Sequence, residues 1–185
     1  TSPNRTISLQ SAALMDHVDI GVETPAWNAL DLLPLASAAC RETLNTLNLP
    51  PDLCEVTILA CDDAAIAELN ATHRHKPTPT NVLSWPAEER GAATAGSTPL
   101  PPTPDPDGTL PLGDIALAYE TCAREAEAAG TPMRHHTTHL IVHGLLHLLG
   151  YDHETDADAA LMEGLEVEIL GKLGLDDPYR NPRAG

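Results

Sequence analysis

The pattern of apolar and polar positions changes period several times along the chain, and each change predicts a new element. Alternation, or a short apolar run, is typical of a strand with one or both faces buried. Such stretches occur at residues 17–22, 56–60, 82–85 and 115–118. Apolar residues at helical spacing predict five helices, over 27–47 with an interruption near Pro34, from Asp62 or Asp63 through Leu69, and over 120–129, 132–149 and 156–173.

Short signals mark the ends of the last two helices. Thr131 is expected to cap the fourth helix with Pro132 in its first position, and Gly150 to end it. Thr155, with Asp158 three residues later, forms a capping-box-like pair before the fifth helix. Strands and helices are mixed along the chain without a repeating strand–helix unit. We therefore expect an α+β fold, in which a small mixed sheet packs with about five helices.

One domain is the expectation for a chain of 185 residues. Residues 87–111 differ in composition from the rest, with five prolines between residues 99 and 106. This composition predicts a long polar loop or insert that lies outside the core. The domain is therefore expected to span residues 1–185 with this insert inside it.

Charge and aromatic content exclude two kinds of nucleic-acid-binding protein. The formal net charge is −17, from 27 acidic and 10 basic residues, and only two Trp, three Tyr and no Phe are present. A surface that neutralises many phosphates needs abundant Lys and Arg, and a stacking platform for single strands needs several rings. If the protein binds a nucleic acid, it must therefore do so at one small site rather than over a broad surface.

Four cysteines without a C-x-x-C pair predict free, mostly buried thiols and a cytoplasmic location. No apolar run approaches the roughly 18 residues that a membrane span needs, so no membrane partner is expected.

Histidines are concentrated between residues 139 and 153, in the stretch H-L-I-V-H-G-L-L-H-L-L-G-Y-D-H. His143 and His147 are four residues apart and share a helix face, and a turn at Gly150 brings His153 back toward them. Three imidazoles that leave one position open are typical of catalytic zinc, one ion per chain, although other divalent transition metals also accept such ligands. We therefore predict a metal site at the C-terminal end of a buried helix.

His139 lies on the same face, but it is eight residues from His147, about 12 Å along a helix axis. Because zinc–nitrogen bonds measure only about 2.1 Å, one ion does not reach both residues. His139 is therefore a candidate for supporting a ligand or for binding substrate.

The ligand spacing also occurs in metzincin peptidases, whose motif places a general-base Glu directly after the first His. Here Gly144 occupies that position. A metzincin-like metallopeptidase is therefore the weaker alternative.

The block H-G-L-L-H-L-L-G-Y-D-H resembles the signature of the YbeY family, rRNA maturation factors described as single-strand-specific metallo-endoribonucleases. The resemblance extends to residues 68–74 and 79–86, to the L-G-D-I stretch at 112–115, and to Met162, Glu166, Ile169 and Leu170 near the C-terminus. The family's Tyr, Asp and Phe are replaced by His73, Asn81 and Trp85.

This resemblance implies metal ligands at His143, His147 and His153, and a functional arginine at Arg74. The segment from His73 to Lys76 is the densest positive stretch of the chain, and an arginine fork suits phosphate, so Lys76 is a second candidate for substrate binding. Asp152, next to a ligand, is a candidate for the general base or for orienting an imidazole. The substrate implied is single-stranded RNA, in particular a precursor of ribosomal RNA, with ribosomal particles or proteins as partners. A non-catalytic ribosome assembly factor with a structural metal is the other alternative.

Overall fold

Four strands form a single mixed sheet in the computed structural model, which describes residues 18–74, 80–88, 90–92 and 94–179. The strands are β1 (Val18–Val22), β2 (Cys54–Cys61), β3 (Val82–Pro86) and β4 (Leu110–Ala118). Their order is β1-β2-β4-β3, in which β1, β2 and β4 run parallel and β3 is antiparallel to β4. The predicted α+β class and mixed sheet are confirmed, and His17, at the predicted start of the first strand, lies outside the described residues.

The described chain contains one 3-10 helix and five α-helices. They are the 3-10 helix Pro25–Leu30, α1 (Leu32–Thr46), α2 (Asp63–Arg74), α3 (Tyr119–Ala129), α4 (Met133–Leu148) and α5 (Asp156–Lys172). None of the helices described here is both long enough and apolar enough to cross a lipid bilayer.

The helix boundaries depart from the predicted ones at two places. The first helix is broken at Asp31, whose φ is 50°, rather than at Pro34. Pro34 instead falls in the first turn of α1, where a backbone N–H has no partner within the helix. Similarly, Pro132 and not Thr131 occupies the position before α4. The Thr155 cap is confirmed, because its Oγ1 accepts a hydrogen bond of 3.1 Å from the Asp158 N–H.

Strand β4 separates the interior into two clusters of buried side chains. Ile115 and Leu117 belong to the larger cluster, which includes residues of α1, α4 and α5. Ala116 and Ala118 belong to the smaller one, with Ile66 of α2. Side chains alternate between the two faces of a strand, so this single strand contributes to both clusters.

Helix α4 lies very close to the sheet at Gly144. A Cβ atom placed on Gly144 would be 3.2 Å from Cγ2 of Ile115, tighter than ordinary van der Waals contact. On the same helix, Ile141, Leu145 and Leu148 are completely buried. Because this face is packed against the core, the rotation of α4 is set, and the histidines of the predicted site lie together on its other side.

Arg90, in the proline-rich segment, is buried at the end of α4. Its guanidinium donates hydrogen bonds to the carbonyl oxygens of Leu148 (2.6 Å) and Pro111 (2.9 Å), with a weaker contact to that of Leu112 (3.4 Å). Its Nε lies 3.3 Å from a carboxylate oxygen of Glu88. The prediction that this segment lies outside the core is wrong for Arg90, whose exposure is 2%. The segment also ends earlier than predicted, because Leu110 and Pro111 belong to β4.

We expect Arg90→Met to lower the free energy of unfolding by about 3 kcal/mol, because buried carbonyl oxygens lose a charged donor. Urea unfolding at neutral pH measures this loss. Arg124→Met is the matched control, since Arg124 also pairs with a carboxylate but its side chain is 66% exposed. The control should lose less than about 1 kcal/mol. Equal losses in the two variants would contradict a supporting role of Arg90.

Candidate metal centre

His143 and His147 stand one turn apart on α4, and their rings converge. The Nε2 atoms of the two residues are 3.1 Å apart. Two nitrogen ligands of one tetrahedral zinc ion lie about 3.4 Å apart, given bonds of roughly 2.1 Å. The pair therefore has nearly the separation that a shared ion requires.

His153 reaches the same place through the turn that follows α4. Gly150 makes this turn with a φ of 102°, and a Cβ atom there would lie 2.6 Å from the carbonyl oxygen of Arg90. The ring of His153 lies 5.5 Å from that of His143 and 5.2 Å from that of His147. One nitrogen from each of the three residues falls within 4.8 Å of the other two. The donor set fits a zinc ion that retains an open position, and the exposure of His153 places that opening at the surface.

The electrostatics at His147 favour the neutral imidazole that a metal needs. Burial, together with the neighbouring His143 and His153, lowers the pKa of His147 from 6.5 to about 4. At neutral pH this imidazole is therefore uncharged, and one of its ring nitrogens offers a lone pair to a metal.

Glu166 on α5 lies directly behind this cluster, and its side chain is fully buried. Its Oε1 accepts hydrogen bonds from Nδ1 of His143 (2.7 Å) and from Nε2 of His139 (3.2 Å). Its Oε2 accepts the hydroxyl proton of Tyr179. Burial alone would raise the pKa of Glu166, but the hydrogen bonds from His139, His143 and Tyr179 outweigh it and hold the pKa at about 2. The carboxylate is therefore ionised.

Sequence reasoning did not assign a role to Glu166. The available signal was its position on α5. Glu166 lies on the same helix face as the buried residues Met162, Ile169 and Leu170. An acidic residue among apolar positions of a helix is buried only with partners, so such a position points to a polar network.

His139 lies in the network around Glu166, one turn before His143. Its ring is 5.7 Å from that of Tyr179, edge to face. On another side, His139 borders a surface cavity that is also lined by Thr131, His135 and His136. Both predicted roles, supporting a ligand and binding substrate, are compatible with this position.

Asp152 lies beside the proline-rich segment. Its Oδ1 accepts a hydrogen bond of 3.2 Å from the N–H of Glu154. It lines a small cavity together with Pro99, Tyr151 and Asp158. These contacts provide no support for a general base.

The predicted substrate-binding residues fall at the edge of the described chain. Arg74 is the last residue of α2, and its side chain is outside the described part. Lys76 lies entirely outside the described residues. Their roles therefore stay predictions.

The position of Gly144 gives the peptidase alternative no support. Gly144 is buried and faces Ile115 of the sheet. A glutamate at this position would have to place its carboxylate in the apolar core, at a high free-energy cost.

Comparison with known proteins identifies the family. A family model described as "Endoribonuclease YbeY" matches residues 23–174. A protein named "Endoribonuclease YbeY" from Ruegeria pomeroyi is 61% identical over 162 residues, which are 88% of this chain and 97% of the relative. Relatives with the same name from Dinoroseobacter shibae and Jannaschia sp. are 61% and 58% identical, and cover 89% and 88% of this chain and 91% and 99% of their own lengths.

The fold also has a counterpart among solved structures. The solution structure of a protein from Thermotoga maritima matches with a TM-score of 0.50 and 18% sequence identity, over 88% of this chain and 99% of that one. This likeness concerns the fold alone. The family model covers most of the chain, and the identity to the curated relatives is well above 30% over nearly their full lengths. The chain belongs to the endoribonuclease YbeY family.

Proposed function

We propose that this chain is a zinc-dependent endoribonuclease that cleaves single-stranded RNA, with His143, His147 and His153 as the metal ligands. The observation that supports this most strongly is the convergence of three imidazoles at an open, solvent-facing position. The relatives named as endoribonucleases direct the chemistry of that site toward RNA. Zinc held there supplies Lewis-acid chemistry at a phosphodiester.

The chain's own residues would divide the remaining work. The neutral His147 provides a lone pair at physiological pH, and the exposed His153 leaves the site accessible to a strand of RNA. Arg74, with Lys76 nearby in sequence, would bind a phosphate next to the cleaved bond, because a guanidinium presents a planar fork to phosphate oxygens. His139 borders the adjoining cavity and is a candidate to contact the strand beyond the cleaved bond.

The charge of the protein bears on how the substrate arrives. A net charge of −17 disfavours binding of bulk RNA, whose phosphates are negative. We therefore propose that the substrate is a precursor of ribosomal RNA presented by a ribosomal particle or protein in the cytoplasm. Residues 1–185 would act as one YbeY-like domain, with the proline-rich stretch as its insert.

The central test compares wild type with His147→Ala. Wild type should hold about one zinc ion per chain and cleave single-stranded RNA until a chelator is added. His147→Ala should lose the zinc and more than about 100-fold of the cleavage rate, since one of three ligands is missing. Metal analysis and a gel assay with labelled RNA measure both properties.

Glu168→Gln is the matched control, because Glu168 is an exposed residue of α5 that pairs with Lys172 and lies outside both the ligand cluster and the adjoining cavity. It should retain zinc and activity. Wild-type cleavage by His147→Ala would refute metal catalysis and point to a contaminating ribonuclease. Zinc binding by a wild type that joins ribosomal particles but cuts no RNA would favour the assembly-factor alternative.

Arg74→Met should lower kcat/KM for single-stranded RNA by about 10- to 100-fold, which corresponds to the loss of a charged hydrogen bond. Zinc content should not change. Arg124→Met, which removes an exposed arginine of α3, should keep wild-type kinetics. Steady-state kinetics at two salt concentrations provide the measurement, and an unchanged kcat/KM in Arg74→Met would contradict the phosphate-binding role.

The depressed pKa of His147 predicts a particular acid response of the metal-free protein. Because the folded state disfavours the charged ring, this residue's contribution to stability is complete above pH 6.5 and is lost as the pH falls toward 4. NMR titration of the imidazole signals should give a midpoint near pH 4 for His147, assigned by comparison with His147→Ala. A midpoint near 6.5 would show that the ring is not shielded from water.

A further inference from the structure

We propose that Glu166 is a positioning residue for the metal ligand His143, and that Tyr179 completes the arrangement from the segment after α5. The carboxylate would hold one tautomer of His143, with the proton on Nδ1 and the lone pair of Nε2 directed at the metal. This inference rests on the metal site of the proposed function, but it concerns residues outside the ligand set.

The two nitrogens of His143 face different partners. Nδ1 lies 2.7 Å from Oε1 of Glu166, whereas Nε2 lies 3.1 Å from Nε2 of His147. An ionised carboxylate only accepts hydrogen bonds, so the proton of a neutral His143 belongs on Nδ1. The tautomer that Glu166 selects is therefore the one that leaves Nε2 free to bind a metal.

Both oxygens of the buried Glu166 carboxylate accept hydrogen bonds. His143 and His139 donate to Oε1, and the hydroxyl of Tyr179 donates to Oε2. On either side of it along α5, Met162 and Leu170 are buried in the core. Packing and hydrogen bonds thus fix the position of this carboxylate.

The distances favour this role over a second metal site. Ligand atoms of His139, His143 and Glu166 also lie within 4.8 Å of one another. Two ligands of one zinc ion, bound at about 2.0–2.1 Å, are separated by roughly 3.3 Å. The 2.7 Å between Glu166 and His143 is shorter than this and is a normal length for a charge-assisted hydrogen bond.

Tyr179 connects this network to the chain beyond α5. Its N–H donates a hydrogen bond of 2.8 Å to Oδ1 of Asp177, and its ring packs edge to face against His139. Its backbone and its hydroxyl are therefore both tied in place. Removing the hydroxyl deprives Glu166 of one donor but leaves His143 Nδ1 with its acceptor, so the effect should be smaller than that of removing the carboxylate.

The decisive measurement is the tautomer of His143 in the metal-free protein, read from long-range 1H–15N NMR spectra. Wild type should carry the proton on Nδ1. Glu166→Ala should lose this preference, and a purely structural role of Glu166 would leave it unchanged. A wild-type His143 protonated mainly on Nε2 would overturn the inference. This readout needs neither metal nor RNA, so it stays valid even if the proposed activity fails.

Zinc affinity provides the second readout, measured by competition with a chromogenic chelator. Glu166→Ala should bind zinc about 10- to 100-fold more weakly, the range typical for losing a partner of a metal ligand. Glu166→Gln keeps an acceptor oxygen at the same length without the charge, so it should recover part of this loss. Tyr179→Phe should fall between wild type and Glu166→Gln.

Glu168→Gln is the matched control, because Glu168 is an exposed residue of the same helix that pairs with Lys172. It should keep both the tautomer and the zinc affinity of wild type. If Glu166→Ala does not fold, the zinc affinity of the nearly isosteric Glu166→Gln variant tests the inference in its place. Wild-type zinc affinity in a folded Glu166→Gln and in Tyr179→Phe would then refute it.

Discussion

The close packing of α4 against the sheet at Gly144 and Ile115 is the contact on which the site depends. Side chains on a helix share a face when they are spaced by three or four residues or by multiples of a turn, so burying one face decides what the opposite face presents. Here the burial of Ile141 and Leu145 leaves His139, His143 and His147 along the half-exposed side. The absence of a side chain at position 144 permits this approach, and the same glycine keeps a carboxylate out of the position where a metzincin peptidase would need one.

The end of α4 is built by residues that are distant from it in the sequence. Arg90 donates to the carbonyl of Leu148, and the backbone at Arg90 passes so close to Gly150 that only a glycine fits there. Carbonyl groups at the end of a helix have no partners within the helix, and a buried guanidinium satisfies them well. The proline-rich segment therefore supports the turn that brings His153 to the other two histidines.

Two charge states at the candidate metal centre are set by the residues around them, those of Glu166 and His147. Glu166 is the one fully buried carboxylate among the described residues. Hydrogen bonds from His139, His143 and Tyr179 stabilise its negative charge. His147, a candidate ligand, is kept neutral by burial and by its histidine neighbours.

Local patterns determined most of the elements and the candidate histidine cluster. Hydrophobic period indicated the four strands and the five α-helices because burial of one face imposes it, but it did not indicate the 3-10 helix. The spacing of His143, His147 and His153 around Gly150 sufficed to predict a cluster. Tertiary structure alone decided which distant residues complete the site. Arg90 sits in a segment whose composition predicts a loop, and Glu166 faces the histidines only because α5 packs beside α4. No hydrophobic period in the sequence predicts either contact. A hydrogen bond between remote segments depends on how the elements pack against each other, and not on the spacing of residues within one segment.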